Sequence, residues 1–268
     1  MAKSIKTITA VTTALIVTAA NAIASPLATE QQSTEAKADQ FQSAPTQSTL
    51  SRPTAQSTAQ AALLRHLVHA ASNGDAVSQY NLAIRYSQGR DIEQDWKKAF
   101  YWFHQAARND LKHAYQAMGS AYFYGLGVAQ NYPLSVHWFK KAAQHGLPEG
   151  QYSLGLAHYY GLGVEQDYKK ALYRFQQAAE QDFPAAYFSL GISYQHGFGV
   201  ESNDQQAYAW YQKAALQGHK EAQHSLATLL ENGYGVEKDL ALADYWYQQA
   251  ASQDNLSERF SVSEVIGF

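Results

Sequence analysis

The feature that most constrains this chain is a repeat of 36 residues that runs through most of its length. A glycine, a pair of alanines and one large apolar residue each recur at this interval. The members of these three columns are Gly89, Gly125, Gly161, Gly197 and Gly233; Ala106-Ala107, Ala142-Ala143, Ala178-Ala179, Ala214-Ala215 and Ala250-Ala251; and Leu82, Met118, Leu154, Leu190 and Leu226. Independent columns that agree on one period predict a solenoid, in which each unit contacts only its neighbours.

Each unit is predicted to contain two helices. In the unit 111–146, Ala114, Met118 and Tyr122 recur four residues apart, as on one face of a helix, and Gly125 is placed to end that helix. Asn131 is the predicted N-cap of the second helix. The residues in the corresponding position of the other units are Asp95, Asp167, Asn203 and Asp239. The predicted fold class is therefore all-α.

The period also sets the boundaries. The five predicted units are 75–110, 111–146, 147–182, 183–218 and 219–254. Residues 58–74 match the second helix of a unit, but no first helix precedes them. This lone helix is predicted to cap the N-terminal end. Residues 255–268 break the period but stay apolar, with Phe260, Val262 and Ile266. They are predicted to fold back over the fifth unit as a C-terminal cap, and a free recognition tail is the alternative.

The N-terminus is predicted to be a secretory signal peptide, residues 1–24. Lys3 and Lys6 precede an uncharged stretch that is too short to span a bilayer, and Ala22-Ile23-Ala24 offers small residues for cleavage after Ala24. Cleavage after Ala22 and an uncleaved signal anchor are the alternatives. Residues 25–57 are rich in Gln, Ser, Thr and Ala and are predicted to be a disordered linker. We therefore expect an exported protein, periplasmic or secreted, without a membrane-spanning segment after cleavage.

The pattern resembles the Sel-one-like repeat family, a relative of the tetratricopeptide repeats. The residues that carry the resemblance are the Ala…Leu-Gly…Tyr of the first helix, the Gly-x-Gly-Val turn, the Asp or Asn cap, and the Trp-Phe/Tyr…Ala-Ala of the second helix, over 75–254. The first unit departs from it, because Gly89-Arg90-Asp91-Ile92 lacks the second glycine. The resemblance implies a right-handed superhelical solenoid of helix-turn-helix repeats and a protein-interaction or scaffold role, often in the bacterial envelope.

A partner is expected in the concave groove that the first helices line. The face of these helices opposite the Leu82 column is predicted from a turn of about 100° per residue. The candidate groove residues are Tyr80, Ile84, Phe123, Tyr124, Tyr152, Leu156, Tyr159, Tyr160, Phe188, Ile192 and His196. An exposed apolar patch of this kind usually marks a binding site. The alternative is packing: Tyr124 and Tyr160 on the adjacent glycine turn, and Tyr152 and Phe188 against the next helix.

Composition argues against several other classes of function. The chain has no cysteine, which excludes disulfides, a thiol nucleophile, cysteine-bound zinc and a bacterial lipoprotein anchor. Its formal net charge of −3 argues against nucleic-acid binding. The exposed-face lysine pairs Lys97-Lys98, Lys140-Lys141 and Lys169-Lys170 are interpreted as solubilising.

Motifs for catalysis are missing as well. The sequence holds no phosphate-binding Gly-Lys loop, no zinc-protease His-Glu pair, no Gly-x-Ser-x-Gly and no Ser-x-x-Lys. His66 and His69 share a helical face, but no third metal ligand is evident. The sequence thus predicts no cofactor, no metal and no catalytic site. The predicted function is a non-catalytic envelope scaffold that binds a protein or peptide; an envelope hydrolase or β-lactam-binding protein, and a secreted host-interacting effector, are the alternatives. Partner identity and oligomeric state stay open.

Overall fold

A computed structural model describes residues 55–89 and 91–265 of the chain, with side chains described for 60–89 and 91–253. The predicted signal peptide and nearly all of the predicted linker lie outside the described residues. Within them the chain forms eleven α-helices and no strand. The helices are α1 (Ala55–Ser72), α2 (Ala76–Gln88), α3 (Trp96–Arg108), α4 (Lys112–Tyr124), α5 (Tyr132–Gln144), α6 (Pro148–Tyr160), α7 (Tyr168–Ala179), α8 (Pro184–His196), α9 (Asp204–Leu216), α10 (Lys220–Asn232) and α11 (Leu240–Val265).

The helices stack in chain order. Each packs mainly against the helix before it and the helix after it, first within a pair and then onto the next pair. This nearest-neighbour arrangement is what distinguishes a solenoid from a globular helical bundle. The all-α solenoid of helix pairs predicted from the period is confirmed.

The core is built from the repeating columns. Leu82, Met118, Leu154, Leu190 and Leu226 are at most 1% exposed and form its centre. In the three middle units the residue that follows is a glycine, against which an aromatic ring of the second helix packs. A Cβ atom at Gly119 would lie 2.3 Å from Cδ1 of Phe139, so only glycine lets this ring approach the first helix so closely.

The Gly-x-Gly turn both ends a first helix and locks two units together. Gly125 takes the left-handed conformation with φ 74° and caps α4 through its N–H to the carbonyl of Ala121. A Cβ atom at Gly127 would lie 2.0 Å from the carbonyl oxygen of Trp96 in the preceding unit. In the first unit Asp91 takes the place of this second glycine, with φ 61°, and its carboxylate pairs with Arg85.

The predicted N-caps of the second helices are confirmed. Asp95, Asn131, Asp167, Asn203 and Asp239 each accept a hydrogen bond from the backbone N–H three residues later. Such a cap satisfies one of the N–H groups that a helix leaves without a partner in its first turn. The caps therefore fix where each second helix begins after the turn.

The two ends of the array differ in part from the predicted boundaries. Helix α1 begins at Ala55, before the predicted cap at 58–74, and ends at Ser72. Helix α11 runs from Leu240 to Val265 without interruption, so the break in the period does not end the helix. The side chains from residue 254 onward lie outside the described residues, and contact between 255–268 and the fifth unit stays a prediction. None of the helices in 55–89 and 91–265 is both long and apolar enough to cross a membrane.

Candidate functional site

The first helices of the five units, α2, α4, α6, α8 and α10, lie side by side. Nε2 of Gln116 on α4 donates a 3.0 Å hydrogen bond to Oγ of Ser153 on α6. The ring of Phe188 on α8 stacks at 4.7 Å on His219, the N-cap of α10. The face that these helices share carries the eleven residues predicted to line a groove, and we call it the first-helix surface.

Five of those eleven residues are buried, contrary to the expectation that they face an open groove. They are Tyr80, Ile84, Tyr152, Phe188 and Ile192, each no more than 8% exposed. The physical reason is that their side chains fill the junction with the neighbouring unit. The ring of Tyr152, for example, lies 5.2 Å from that of Phe183, the N-cap of α8. This matches the packing alternative for Tyr152 and Phe188, and it leaves these residues little surface for a partner.

The other six residues keep accessible surface. Phe123, Tyr124, Leu156, Tyr159 and Tyr160 are half-buried, and His196 is exposed. Except for Leu156, all of them lie at the last two positions of α4, α6 or α8, beside the glycine turns. We call Phe123, Tyr124, Tyr159, Tyr160 and His196 the aromatic edge. This part of the first-helix surface offers apolar area that the fold itself does not cover.

The rings of the aromatic edge are held in fixed pairs. Phe123 and Tyr124 meet edge to face at 4.9 Å, and Tyr159 and Tyr160 do so at 4.8 Å. Phe198, which was not among the predicted residues, lies 5.5 Å from Tyr159 and 5.6 Å from His196. It is the middle residue of Gly197-Phe198-Gly199, where the neighbouring turn has Leu162. A phenylalanine at a position where the neighbouring unit has leucine is visible in the sequence, and it could have identified Phe198 as part of this surface.

The aromatic edge is uncharged near neutral pH. Burial raises the pKa of Tyr124 and of Tyr160 to about 12, so both phenols stay protonated and can donate hydrogen bonds. Burial lowers the pKa of His196, against a smaller opposite effect of Asp204, so the imidazole is neutral as well. A surface of neutral rings with hydroxyl tips suits contact with a polypeptide that is itself partly apolar.

A small cavity lies between α6 and α8 next to the aromatic edge. Its volume is about 10 Å³, and its walls are Leu156, Tyr159, Phe175, Ser189 and Ile192. Oγ of Ser189 and the hydroxyl of Tyr152 are both buried, and neither has a partner other than the other hydroxyl of this pair. Burial raises the pKa of Tyr152, and the hydrogen bond with Ser189 lowers it in part.

Sequence reasoning missed Phe175 and Ser189 as parts of this wall. Ser153, Ser189 and Ser225 form a column at the 36-residue step, on first helices that are otherwise mostly apolar there. This column was the available signal for Ser189. For Phe175 the sequence holds no such signal. It lies on the second helix α7, and only the packing of α7 against α6 brings it to the cavity.

The described residues bring no three His, Asp or Glu side chains together in a way that would hold a metal ion. His66 and His69 are both exposed on α1. Nε2 of His69 lies 3.0 Å from Nδ2 of Asn73, within hydrogen-bond distance. The features that this surface does show are aromatic rings, hydroxyl groups and a small cavity.

Stacked helix pairs with a shared surface along the first helices define a helical-repeat solenoid. The profile of the Sel1 repeat matches five consecutive segments of the chain, 76–111, 112–147, 148–183, 184–219 and 220–255. The chain therefore belongs to the Sel1 repeat family, as its sequence pattern suggested. Each matched segment starts one residue later than the unit defined by the period. Proteins of this family are generally non-catalytic protein–protein interaction scaffolds.

Two solved structures carry the same fold with substantial sequence identity. A protective antigen of uropathogenic Escherichia coli strains, which displays an SLR fold, is 36% identical with a TM-score of 0.67, over 71% of this chain and 41% of that one. A Sel1 repeat protein from Oxalobacter formigenes is 30% identical with a TM-score of 0.65, over 70% of this chain and 82% of that one. The chain thus spans about two fifths of the length of the antigen. No curated protein matches it significantly.

Proposed function

We propose that this protein is an exported, non-catalytic scaffold that binds a partner polypeptide across the aromatic edge of its second to fourth units. The observation that carries the proposal is the position of Tyr124 and Tyr160. They occupy the same place in successive units, at the turn end of α4 and α6, and both keep accessible surface.

The geometry of the edge supports tight recognition. Each tyrosine is braced by the ring that precedes it, Phe123 or Tyr159, so little side-chain freedom is lost when a partner binds. Tyrosine is among the residues that most often dominate binding energy at protein interfaces. The regular stacking of the units repeats this element along the array, which suits a partner that runs across several first helices.

The proposed export rests on the N-terminal sequence. Lys3 and Lys6, the uncharged stretch that follows and the Ala22-Ile23-Ala24 site together form a signal-peptide pattern. An exported scaffold without cysteines depends on packing alone for its stability, and three buried apolar clusters along the array supply it. Its place of action would be the periplasm or the outside of the cell.

A capture experiment from envelope extract tests the binding surface. Wild-type protein is compared with Tyr159→Ala/Tyr160→Ala and with Tyr173→Ala, a matched control because Tyr173 is an exposed tyrosine on the second helix α7. Circular dichroism checks that all three proteins fold. We expect the main captured protein to be lost only with the double variant. Capture that survives the double variant but is lost with Lys169→Glu/Lys170→Glu on α7 would contradict the proposal.

A further inference from the structure

We propose that the partner of the aromatic edge carries a basic segment, which binds to the turn end of the fourth and fifth units. The turn end is the end of each unit at which the glycine turn joins its two helices. The inference rests on the proposed function, because it names the chemistry of the polypeptide that the aromatic edge binds. It is drawn from the charges that continue the aromatic edge toward the C-terminal end of the array.

The row of side chains that forms the aromatic edge changes its character along the array. The pairs at the last two positions of α4, α6, α8 and α10 are Phe123-Tyr124, Tyr159-Tyr160, Gln195-His196 and Glu231-Asn232. Both residues of the last pair are exposed. A polypeptide that runs along this row therefore passes from aromatic rings in the second and third units to a carboxylate in the fifth.

Further carboxylates surround this polar end of the row. They are Glu201, Asp204, Glu237 and Asp239. Glu201 follows three residues after Phe198, whose ring lies 5.6 Å from that of His196. Burial lowers the pKa of His196, and the carboxylate of Asp204 raises it in part, as expected for a negative charge close to the imidazole. The negative charges of the fourth unit therefore lie directly beside the aromatic edge.

These carboxylates lack the cation that balances their equivalent in the third unit. There the cap carboxylate of Asp167 lies 3.0 Å from Nζ of Lys170. The fourth and fifth units have Gln206 and Leu242 in the place of this lysine. Among the described residues, Lys238 is the single lysine or arginine at the turn end of these two units, and the five carboxylates there form no ion pair.

A basic segment is the occupant that this charge pattern fits. Carboxylates without neighbouring cations attract Lys and Arg side chains and repel acidic segments. Glu231 already accepts a hydrogen bond from the hydroxyl of Tyr247, and Asp239 caps α11. Glu201 and Glu237 are exposed at the same position of successive turns, so they are best placed to meet the cations of the partner.

The distance along the row sets the spacing of the residues in the partner. Packed helices lie about 8–10 Å apart, so the two steps from α6 to α10 cover roughly 16–20 Å. An extended chain advances about 3.3 Å per residue, so about five or six residues span that distance. We therefore expect the basic residues of the partner about five or six positions from the apolar residue that contacts Tyr160.

Selection from a random dodecapeptide library displayed on phage tests this chemistry directly. The purified protein is immobilised, and the peptides that it retains are sequenced. We expect the enriched peptides to hold an aromatic or branched apolar residue and, about five or six positions away, Lys or Arg. Enrichment of acidic or uncharged peptides, or no enrichment at all, would overturn the inference.

A charge variant with a matched control shows whether the carboxylates are responsible. Glu201→Gln/Glu237→Gln removes two exposed charges at the turn end, and Glu93→Gln/Glu180→Gln removes two exposed charges elsewhere. The Kd of the most enriched peptide is measured by fluorescence anisotropy at low and high salt. We expect the first variant to weaken binding about three- to tenfold and to reduce its salt dependence, and the control to match the wild type. An unchanged Kd for the first variant would overturn the inference.

The inference and the proposed function fail separately. If the enriched peptides need Tyr160 but carry no basic residue, the aromatic edge binds a polypeptide and the inference is wrong. If their binding depends on Glu201 and Glu237 but survives Tyr160→Ala, recognition of a basic segment stands and the proposed function is wrong. Self-association in light scattering that Glu201→Gln/Glu237→Gln abolishes would identify a second copy of the chain as the occupant and overturn the inference.

Discussion

The side-chain amide of Gln181 donates a 2.8 Å hydrogen bond to Oε1 of Gln151, thirty residues earlier in the chain. The bond joins the end of the third unit to the first helix of the same unit. The same bond recurs two units before and two units after it, from Asn109 to Gln79 at 2.9 Å and from Gln253 to Gln223 at 3.0 Å.

In the second and fourth units a tyrosine–aspartate hydrogen bond takes the place of this amide pair. There the first helix has Tyr115 or Tyr187 instead of glutamine, and its hydroxyl donates to Asp110 or Asp182. Both aspartates take a left-handed conformation, whereas Gly146 and Gly218 occupy that place before the glutamine units. The array therefore alternates with a period of two units, and the odd units contain a partly buried amide pair.

Removal of the Gln151 amide is predicted to destabilise the array. Gln151 is 7% exposed, and in Gln151→Leu the amide of Gln181 loses its acceptor in a partly buried place. Because Gln181 is itself exposed, water can satisfy its amide, and the expected loss is the net contribution of one hydrogen bond, about 0.5–1.5 kcal/mol. Urea unfolding should show that Gln151→Leu lowers the free energy of unfolding by this amount. The control Gln212→Leu should change it little, because Gln212 is exposed on α9. Equal losses in the two variants would show that the amide pair does not contribute.

The two kinds of glycine are predicted to respond differently to alanine. Gly163 has φ +74° and a Cβ there would lie 2.4 Å from the backbone of Tyr132, whereas Gly146 has φ +76° and open space around it. Gly146→Ala should cost only the left-handed conformation, about 1–2 kcal/mol. Gly163→Ala should lower the melting temperature considerably more, because two units must move apart. Similar melting temperatures would contradict the lock between the turn and the preceding unit.

His219 is predicted to make the junction of the fourth and fifth units sensitive to acid. Its Nδ1 accepts from the N–H of Ala222 and lies 3.3 Å from a carboxylate oxygen of Glu221. Burial lowers the pKa of His219, and Glu221 raises it in part. Since the folded pKa lies below the ordinary value of about 6.5, the unfolded chain binds the proton more readily. The contribution of this group to stability is therefore complete above about pH 6.5 and declines as the pH falls below it.

The comparison of the wild type with His219→Asn isolates this effect. Asparagine also caps helices well but does not titrate. Unfolding free energies measured between about pH 7.5 and 5 should fall more steeply for the wild type than for the variant. Parallel curves would mean that other groups account for the acid sensitivity.

The repeat made most of this fold predictable. The Leu154 column, the glycine turns and the caps such as Asn131 are fixed by local sequence, and each lies where the period placed it. The alternation of Gln151 with Tyr115 and Tyr187 was also visible in the sequence. It was missed because the units were aligned at a single step of 36 residues.

The first-helix surface was harder to predict, because burial there depends on the neighbouring unit. A helical face locates Tyr152 and Tyr160 on the same side of α6, and nothing in that face distinguishes them. Only the packing of units shows that Phe183 of the next one covers Tyr152, while Tyr160 lies beyond it at the end of the helix. The cavity beside Ser189 likewise arises between two units and has no signature within one.

Export is predicted to remove the first 24 residues. Expression of the full sequence in a Gram-negative host, followed by fractionation and intact-mass measurement, should give a periplasmic or secreted protein that begins at Ser25. The change Ala22→Leu/Ala24→Leu should block cleavage, because signal peptidase requires small residues at these positions. Full-length protein that stays in the cytoplasm would contradict the proposed export.

The affinity for the captured partner tests the central claim most directly. With that partner purified, calorimetry is used to measure the Kd of the wild type, Tyr160→Ala and Tyr173→Ala, after circular dichroism has shown that all three fold. Loss of an interface anchor costs about 2 kcal/mol or more. The account predicts that Tyr160→Ala weakens binding about 30-fold or more, while Tyr173→Ala leaves the Kd unchanged. An unchanged Kd for Tyr160→Ala, or an equal loss in both variants, would contradict it.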